Sequence, residues 1–249
     1  AAVVLCGTRP LEELAYWLDL TVRSPKPVVV TGSIRPWNAF GGDGPANLYN
    51  AIALASSGRT TGFGTVVLFN DRILAARDAT KASTLRLDTY ESREWGVLGM
   101  VDAANIRLLR APARVRHHGT PRWATPFDLA QIAAETLPRT EIAYSYADAS
   151  GAAITAFGRA GVPGIVMAGD PSDRQGAAIK EAIKGGAVFV AANKNTSGSV
   201  YETGVPGIIP AEDLLPQKAR VLLTLGLALT DDLTRLRSWF REYGVPEFG

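Results

Sequence analysis

The chain has 249 residues, 47% of them hydrophobic and 20% charged, which is enough apolar material for one large or two small cores. A formal net charge of +2 argues against a dedicated nucleic-acid binder, and a single cysteine, Cys6, rules out an internal disulfide. No apolar run approaches the roughly 20 residues that a membrane-spanning helix needs, so no membrane partner is expected.

The chain opens on Ala1–Leu5, which reads as a buried strand and shows no signal peptide. The strand is expected over Val3–Cys6, with Cys6 as a packed thiol. Leu11–Val22 carries apolar residues at helical spacing, with Glu12 and Glu13 in the first turn. Pro27–Thr31 reads as a strand, Gly44–Ser56 as a helix and Gly64–Phe69 as a buried strand. Such alternation predicts a parallel sheet with helices on its faces. Ala111–Thr136 interrupts the rhythm with three prolines, several arginines and the adjacent His117 and His118, and reads as an interdomain linker with one short helix. Its basic character fits a solvated linker better than a phosphate-binding patch. The alternation resumes with strands over Glu141–Tyr146, Gly164–Met167 and Ala187–Ala191, and helices over Ala152–Ala160, Gln175–Lys184, Gln217–Thr230 and Leu233–Tyr243. The expected fold is α/β with two domains, residues 1–110 and 139–249, joined by residues 111–138.

Few residues carry recognisable chemistry. Thr8 follows an apolar strand and precedes a helix. A hydroxyl there can act as a nucleophile or proton relay, although from position alone helix capping is the commoner use of such a threonine. Lys81 follows the Gly64–Phe69 strand and the Asn70-Asp71 turn, and a partly buried lysine can accept a proton from a hydroxyl. Thr31-Gly32-Ser33 closes a strand at a sheet's carboxyl edge, where α/β proteins place ligands. The two histidines are adjacent and no second cluster completes a metal site. Gly169-Asp170-Pro171 is neither a dinucleotide fingerprint nor a phosphate-binding loop, so neither metal nor cofactor is expected.

Several segments together resemble the L-asparaginase/glutaminase family, the amidohydrolases with a threonine nucleophile. Thr31-Gly32-Ser33-Ile34-Arg35-Pro36 followed by Asp43-Gly44-Pro45-Ala46-Asn47-Leu48-Tyr49-Asn50-Ala51 is the longest match. Gly7-Thr8 with Glu12-Glu13-Leu14-Ala15-Tyr16, Arg77-Asp78-Ala79-Thr80-Lys81, and Pro216-Gln217-Lys218-Ala219-Arg220 follow the family's order. The resemblance implies hydrolysis of L-asparagine, or of a related side-chain amide, to the acid and ammonia. It implies Thr8 and Lys81 as catalytic residues and a homotetramer with sites shared between subunits. Substrate contacts fall on position 9, on Ser33, on Asp148 in Tyr146-Ala147-Asp148-Ala149-Ser150, and on Glu202. Two departures are visible. Arg9 stands where the family has an aspartate that binds the substrate's ammonium. The family's primary threonine, on a Gly-rich first strand, would lie before Ala1, so the first domain is expected to be truncated. The alternative expectation is therefore an impaired or inactive member with a binding or structural role. The compartment, cytoplasmic or periplasmic, stays open.

Overall fold

The computed structural model describes residues 1–245, which form two compact units divided between Asp128 and Leu129. In the first, strands β1 (Ala2–Leu5), β2 (Val28–Thr31) and β3 (Thr65–Phe69) run parallel, connected through helices α1 (Leu11–Thr21) and α2 (Gly44–Ser56). Side chains of successive strand residues point to opposite faces. Accordingly Val30, Val67 and Phe69 pack with Leu11 and Ala15 of α1, whereas Val29, Val66 and Leu68 pack with Ala51 and Leu54 of α2. The two helices therefore cover opposite faces, and β2 and β3 read as continuous apolar runs because they are buried on both sides. Truncating one of these valines to alanine is expected to cost about 2 kcal/mol.

Beyond β3 the sheet turns antiparallel. Asn70 and Asp71, with φ of 47° and 64°, form the tight turn into β4 (Arg72–Ala75). A short hairpin, β5 (Ala79–Lys81) and β6 (Tyr90–Ser92), is followed by β7 (Gly99–Asp102) and β8 (Asn105–Leu108). The strand order is β1-β2-β3-β4-β7-β8. β1 differs from its sequence reading. Among the described residues it lies at the sheet edge and pairs only with β2, and Leu5 is 59% exposed, so it is not a buried strand.

Residues 111–128, read as linker, belong to the first unit. They form 3₁₀ turns at Ala113–His117 and Pro121–Trp123. Arg114 donates to the Asp19 carboxylate at 3.2 Å and to the Trp123 carbonyl at 2.9 Å, with its guanidinium 4.1 Å from the Trp123 ring centroid. The Trp123 indole donates to the Gly62 carbonyl at 2.7 Å. Burial pushes the Asp19 carboxyl up, opposed by the Arg114 charge and the Thr65 N–H.

The second unit is a parallel four-stranded sheet in the order β12-β11-β10-β9, with β9 Thr140–Tyr144, β10 Gly164–Ala168, β11 Val188–Ala192 and β12 Ile208–Pro210. Helices α3 (Ala152–Arg159), α4 (Asp173–Lys184), α5 (Pro216–Leu227) and α6 (Leu233–Tyr243) complete it. Ser172 caps α4 in a reciprocal box with Gln175. The three-residue strand β12 carries no sequence signal of its own.

Candidate active site

The loop from β1 to α1 holds Thr8 at the carboxyl end of the parallel strands. Thr8 is not the helix cap. The N-cap residue is Pro10, and α1 has no side-chain capping bond. The Thr8 hydroxyl is instead the acceptor of a 2.8 Å hydrogen bond from Lys81 Nζ. Lys81 reaches it from the end of β5, and its backbone N–H is 3.4 Å from Glu12 Oε1. At 2.8 Å a proton can pass between the two heavy atoms in either direction, the charged amine donating to Oγ1 and the neutral amine accepting from it.

Directly across the hairpin, Lys81 pairs in register with Tyr90. Tyr90 is 2% exposed, its ring centroid lies 4.8 Å from that of Phe69, and its hydroxyl donates to the Thr8 carbonyl at 2.8 Å. Lys81 thus holds the Thr8 side chain while Tyr90 holds its backbone. Burial pushes the Tyr90 phenol up from its ordinary value, with smaller contributions from Glu12 and Cys6, so it remains a neutral donor at physiological pH. Burial likewise pushes the Cys6 thiol up, which keeps it protonated and weakly nucleophilic.

Gly32 and Ser33 leave β2 beside this loop. A Cβ on Gly32 would stand 2.4 Å from the Cys6 carbonyl oxygen, so only glycine allows the two chain ends to approach. Asn47 Nδ2 donates to the Gly32 carbonyl at 3.0 Å. The buried Asp43 carboxylate accepts from the Ile34 and Arg35 N–H groups, each at 2.9 Å, and from Asn47 Nδ2 at 3.1 Å. Asp43 therefore shapes the turn that carries half-buried Ser33, although it occupies a position that usually caps a helix.

Arg9, next to Thr8 in sequence, is exposed and makes no hydrogen bond or ion pair among the described residues. Asp148 and Glu202 belong to the second unit. Asp148 sits in the left-handed region at φ 55°, with its side chain 83% exposed and 3.5 Å from Arg174. Glu202 is exposed in the irregular segment between β11 and β12. Sequence reading brought Thr8, Arg9, Lys81 and Ser33 to the first unit but missed Tyr90, Asp43 and Asn47. The latter two stand within the Asp43–Ala51 motif. Tyr90 carries no local signal, because its role depends on the β5–β6 register. Among the described residues no group of three or more His, Cys, Asp or Glu could hold a metal ion.

The N-terminal asparaginase family model matches residues 1–114, and the glutaminase/asparaginase C-terminal domain matches residues 139–240. L-asparaginase 2 of Escherichia coli is 36% identical over 250 residues, covering 97% of this chain and 70% of that protein. The chain belongs to the asparaginase family. L-asparaginase 2 of Bacillus subtilis is 37% identical, and this chain spans 64% of its length. A crystal structure of a probable cytoplasmic L-asparaginase from Campylobacter jejuni superposes with a TM-score of 0.88 at 38% identity, covering 96% of this chain and 74% of that one. In this chain Arg9 follows Thr8, whose hydroxyl accepts from Lys81.

Proposed function

We propose that this chain acts as an amidohydrolase on a side-chain amide of the L-asparagine type, releasing the acid and ammonia. The 2.8 Å contact between Lys81 Nζ and Thr8 Oγ1 carries the proposal. Lys81 Nζ takes up the hydroxyl proton. The Thr8 oxygen then attacks the amide carbon itself or withdraws a proton from the oxygen that does. The proton held on Lys81 passes to the departing nitrogen, which leaves as ammonia, and one water completes the acid. Asp43 accepts from the Ile34 N–H and Asn47 donates to the Gly32 carbonyl, which fixes the Gly32-Ser33 turn, and the backbone N–H groups of that turn are the proposed oxyanion donors. The relatives' names, L-asparaginase and glutaminase-asparaginase, support the amide class.

Asp148 and Glu202 are assigned to substrate contact in a homotetramer, which rests on the family resemblance and on their exposure. Relatives are named as cytoplasmic and as periplasmic, and both compartments suit this chain. No helix of the described residues is long and apolar enough to cross a membrane. A second reading, an impaired member with a binding role, is favoured by one observation, the exposed Arg9 beside Thr8. Ammonia release from a panel of L-asparagine, L-glutamine and simpler amides decides between them. Activity that falls by about 100-fold or more in Thr8→Ala supports hydrolysis at this site. No release from any amide supports the binding role. A mass increase on Thr8 equal to the acyl group separates direct attack from proton relay.

A further inference from the structure

Two stretches of the first unit, residues 44–70 and 103–127, contain no Asp or Glu, yet they hold six arginines and both histidines of the chain. The fold brings them together. The Trp123 indole donates to the Gly62 carbonyl at 2.7 Å, a Cβ on Gly62 would stand 2.8 Å from the His118 ring, and Arg59 Nη1 donates to the Ile106 carbonyl of β8. The turn that follows α2 is therefore held both by β8 and by the 3₁₀ turns, which carry Arg116 and Arg122. Neighbouring carboxylates are already engaged. Asp19 accepts from Arg114 at 3.2 Å, Asp102 lies 3.6 Å from Arg107, and Asp128 lies 3.6 Å from Arg23. Arg59, Arg110 and Arg122 are exposed and make no ion pair among the described residues, and the first two donate to backbone carbonyls. Arg116, also exposed, donates to His117 Nε2 at 2.9 Å.

We propose that this surface docks an acidic segment of a protein partner, whose Asp and Glu carboxylates take the guanidinium groups of Arg59, Arg110, Arg116 and Arg122. Neither stretch contains a lysine, so the side chains of fixed positive charge are all guanidinium groups. A planar guanidinium holds a carboxylate by two parallel N–H···O bonds, so the surface suits a peptide that offers several carboxylates in a row. Other occupants fit less well. Single-stranded nucleic acid stacks its bases on open aromatic rings. Here Phe63, Trp123 and Phe127 are 8%, 5% and 0% exposed, and Arg114 covers the Trp123 ring. An anionic membrane takes apolar anchors beside the cations, and Leu109 is the one large exposed apolar side chain of residues 103–127. A second copy pairing through the same face would set arginine against arginine. The proposal stands apart from the hydrolytic reading, because it uses neither Thr8 nor Lys81.

The test is fluorescence anisotropy of a labelled octaglutamate peptide titrated with the 249-residue chain. The variant is Arg116→Glu with Arg122→Glu, and the control is Arg159→Glu, an exposed arginine of the second unit. Saturable binding is expected, weakened about tenfold or more in the double variant and unchanged in the control. Raising the ionic strength from about 0.01 M to about 0.1 M shortens the screening length from about 30 Å to about 10 Å, and weaker binding is expected with it. If the double variant lowers the urea midpoint, Arg122→Gln carries the test, because Arg122 makes no side-chain hydrogen bond or ion pair among the described residues. A loss of about threefold is expected there, and unchanged affinity overturns the proposal. No saturable binding, or an equal loss in Arg159→Glu, also overturns it. So does tighter binding of oligothymidylate or of phosphatidylserine vesicles than of octaglutamate.

Discussion

Each unit ends parallel strands in loops at their carboxyl edge, and each brings a lysine to those loops, Lys81 from the β5–β6 hairpin and Lys194 from the segment after β11. In the first, Lys81 Nζ donates to a side-chain hydroxyl, Thr8 Oγ1, at 2.8 Å. In the second, Lys194 Nζ donates to the Ser145 carbonyl at 3.0 Å. That second edge is tied to itself throughout. Ser172 Oγ donates to the Ala149 carbonyl at 2.6 Å, and Gln175 Nε2 to the Tyr144 carbonyl at 3.0 Å. A backbone carbonyl has no proton to give, whereas a hydroxyl does. The proposed chemistry follows from the lysine's acceptor and not from its place at a sheet edge.

The largest expected contrast is therefore between Lys81→Met and Lys194→Met. The first is expected to lower ammonia release by about 100-fold or more with little change in denaturant midpoint. The second is expected to cost about 1 kcal/mol of stability in urea unfolding, with a much smaller effect on turnover. Equal losses of turnover in the two variants would erase the distinction.

The glycines of the two edges sharpen it. Gly32→Ala drives a Cβ to 2.4 Å from the Cys6 carbonyl oxygen, a backbone atom that cannot move without separating β1 from β2. A loss of about 3 kcal/mol in urea unfolding is expected. Gly169→Ala meets the Lys194 Cδ at 2.8 Å, part of a flexible chain, and carries the strain of φ +84°. About 1–2 kcal/mol is expected there. The reverse order would show that the first loop is the softer one.

Tyr90→Phe gives the smallest effect. Losing the 2.8 Å bond to the Thr8 carbonyl is expected to cost about 1 kcal/mol and to reduce turnover several-fold by loosening the loop. The raised phenol value adds a pH signature. A group protonated more readily when folded contributes stability that is complete below its unfolded value and is lost as pH rises through the folded one. Wild-type stability is expected to fall as pH climbs above the ordinary phenol value near 10, and Tyr90→Phe to remove that part of the slope. Identical slopes in alkaline urea titrations would remove Tyr90 from the account.

Much of the parallel framework was legible in the sequence, because β2, β3 and β10 are continuous apolar runs that end in Gly- or Asn-containing turns. The Thr8 and Lys81 positions were legible as family motifs, and their contact is what the structure adds. The antiparallel strands β4 to β8 escaped notice, being three or four residues long with mixed burial. Residues 111–128 read as linker because their anchors lie far away in sequence, Arg114 on Asp19 and Trp123 on Gly62. Tyr90 was invisible for the same reason. Its partner is Thr8, reached only after β5 and β6 pair.

The most direct test of the Thr8–Lys81 couple replaces the hydroxyl without changing the shape around it. Steady-state ammonia release should be measured on the best amide of the panel for Thr8→Ser and Thr8→Val. Serine keeps the oxygen within reach of Lys81, and activity within about tenfold of wild type is expected. Valine keeps the bulk and removes the oxygen, and a fall of about 100-fold or more is expected. Valine and serine variants with equal activity would contradict the account.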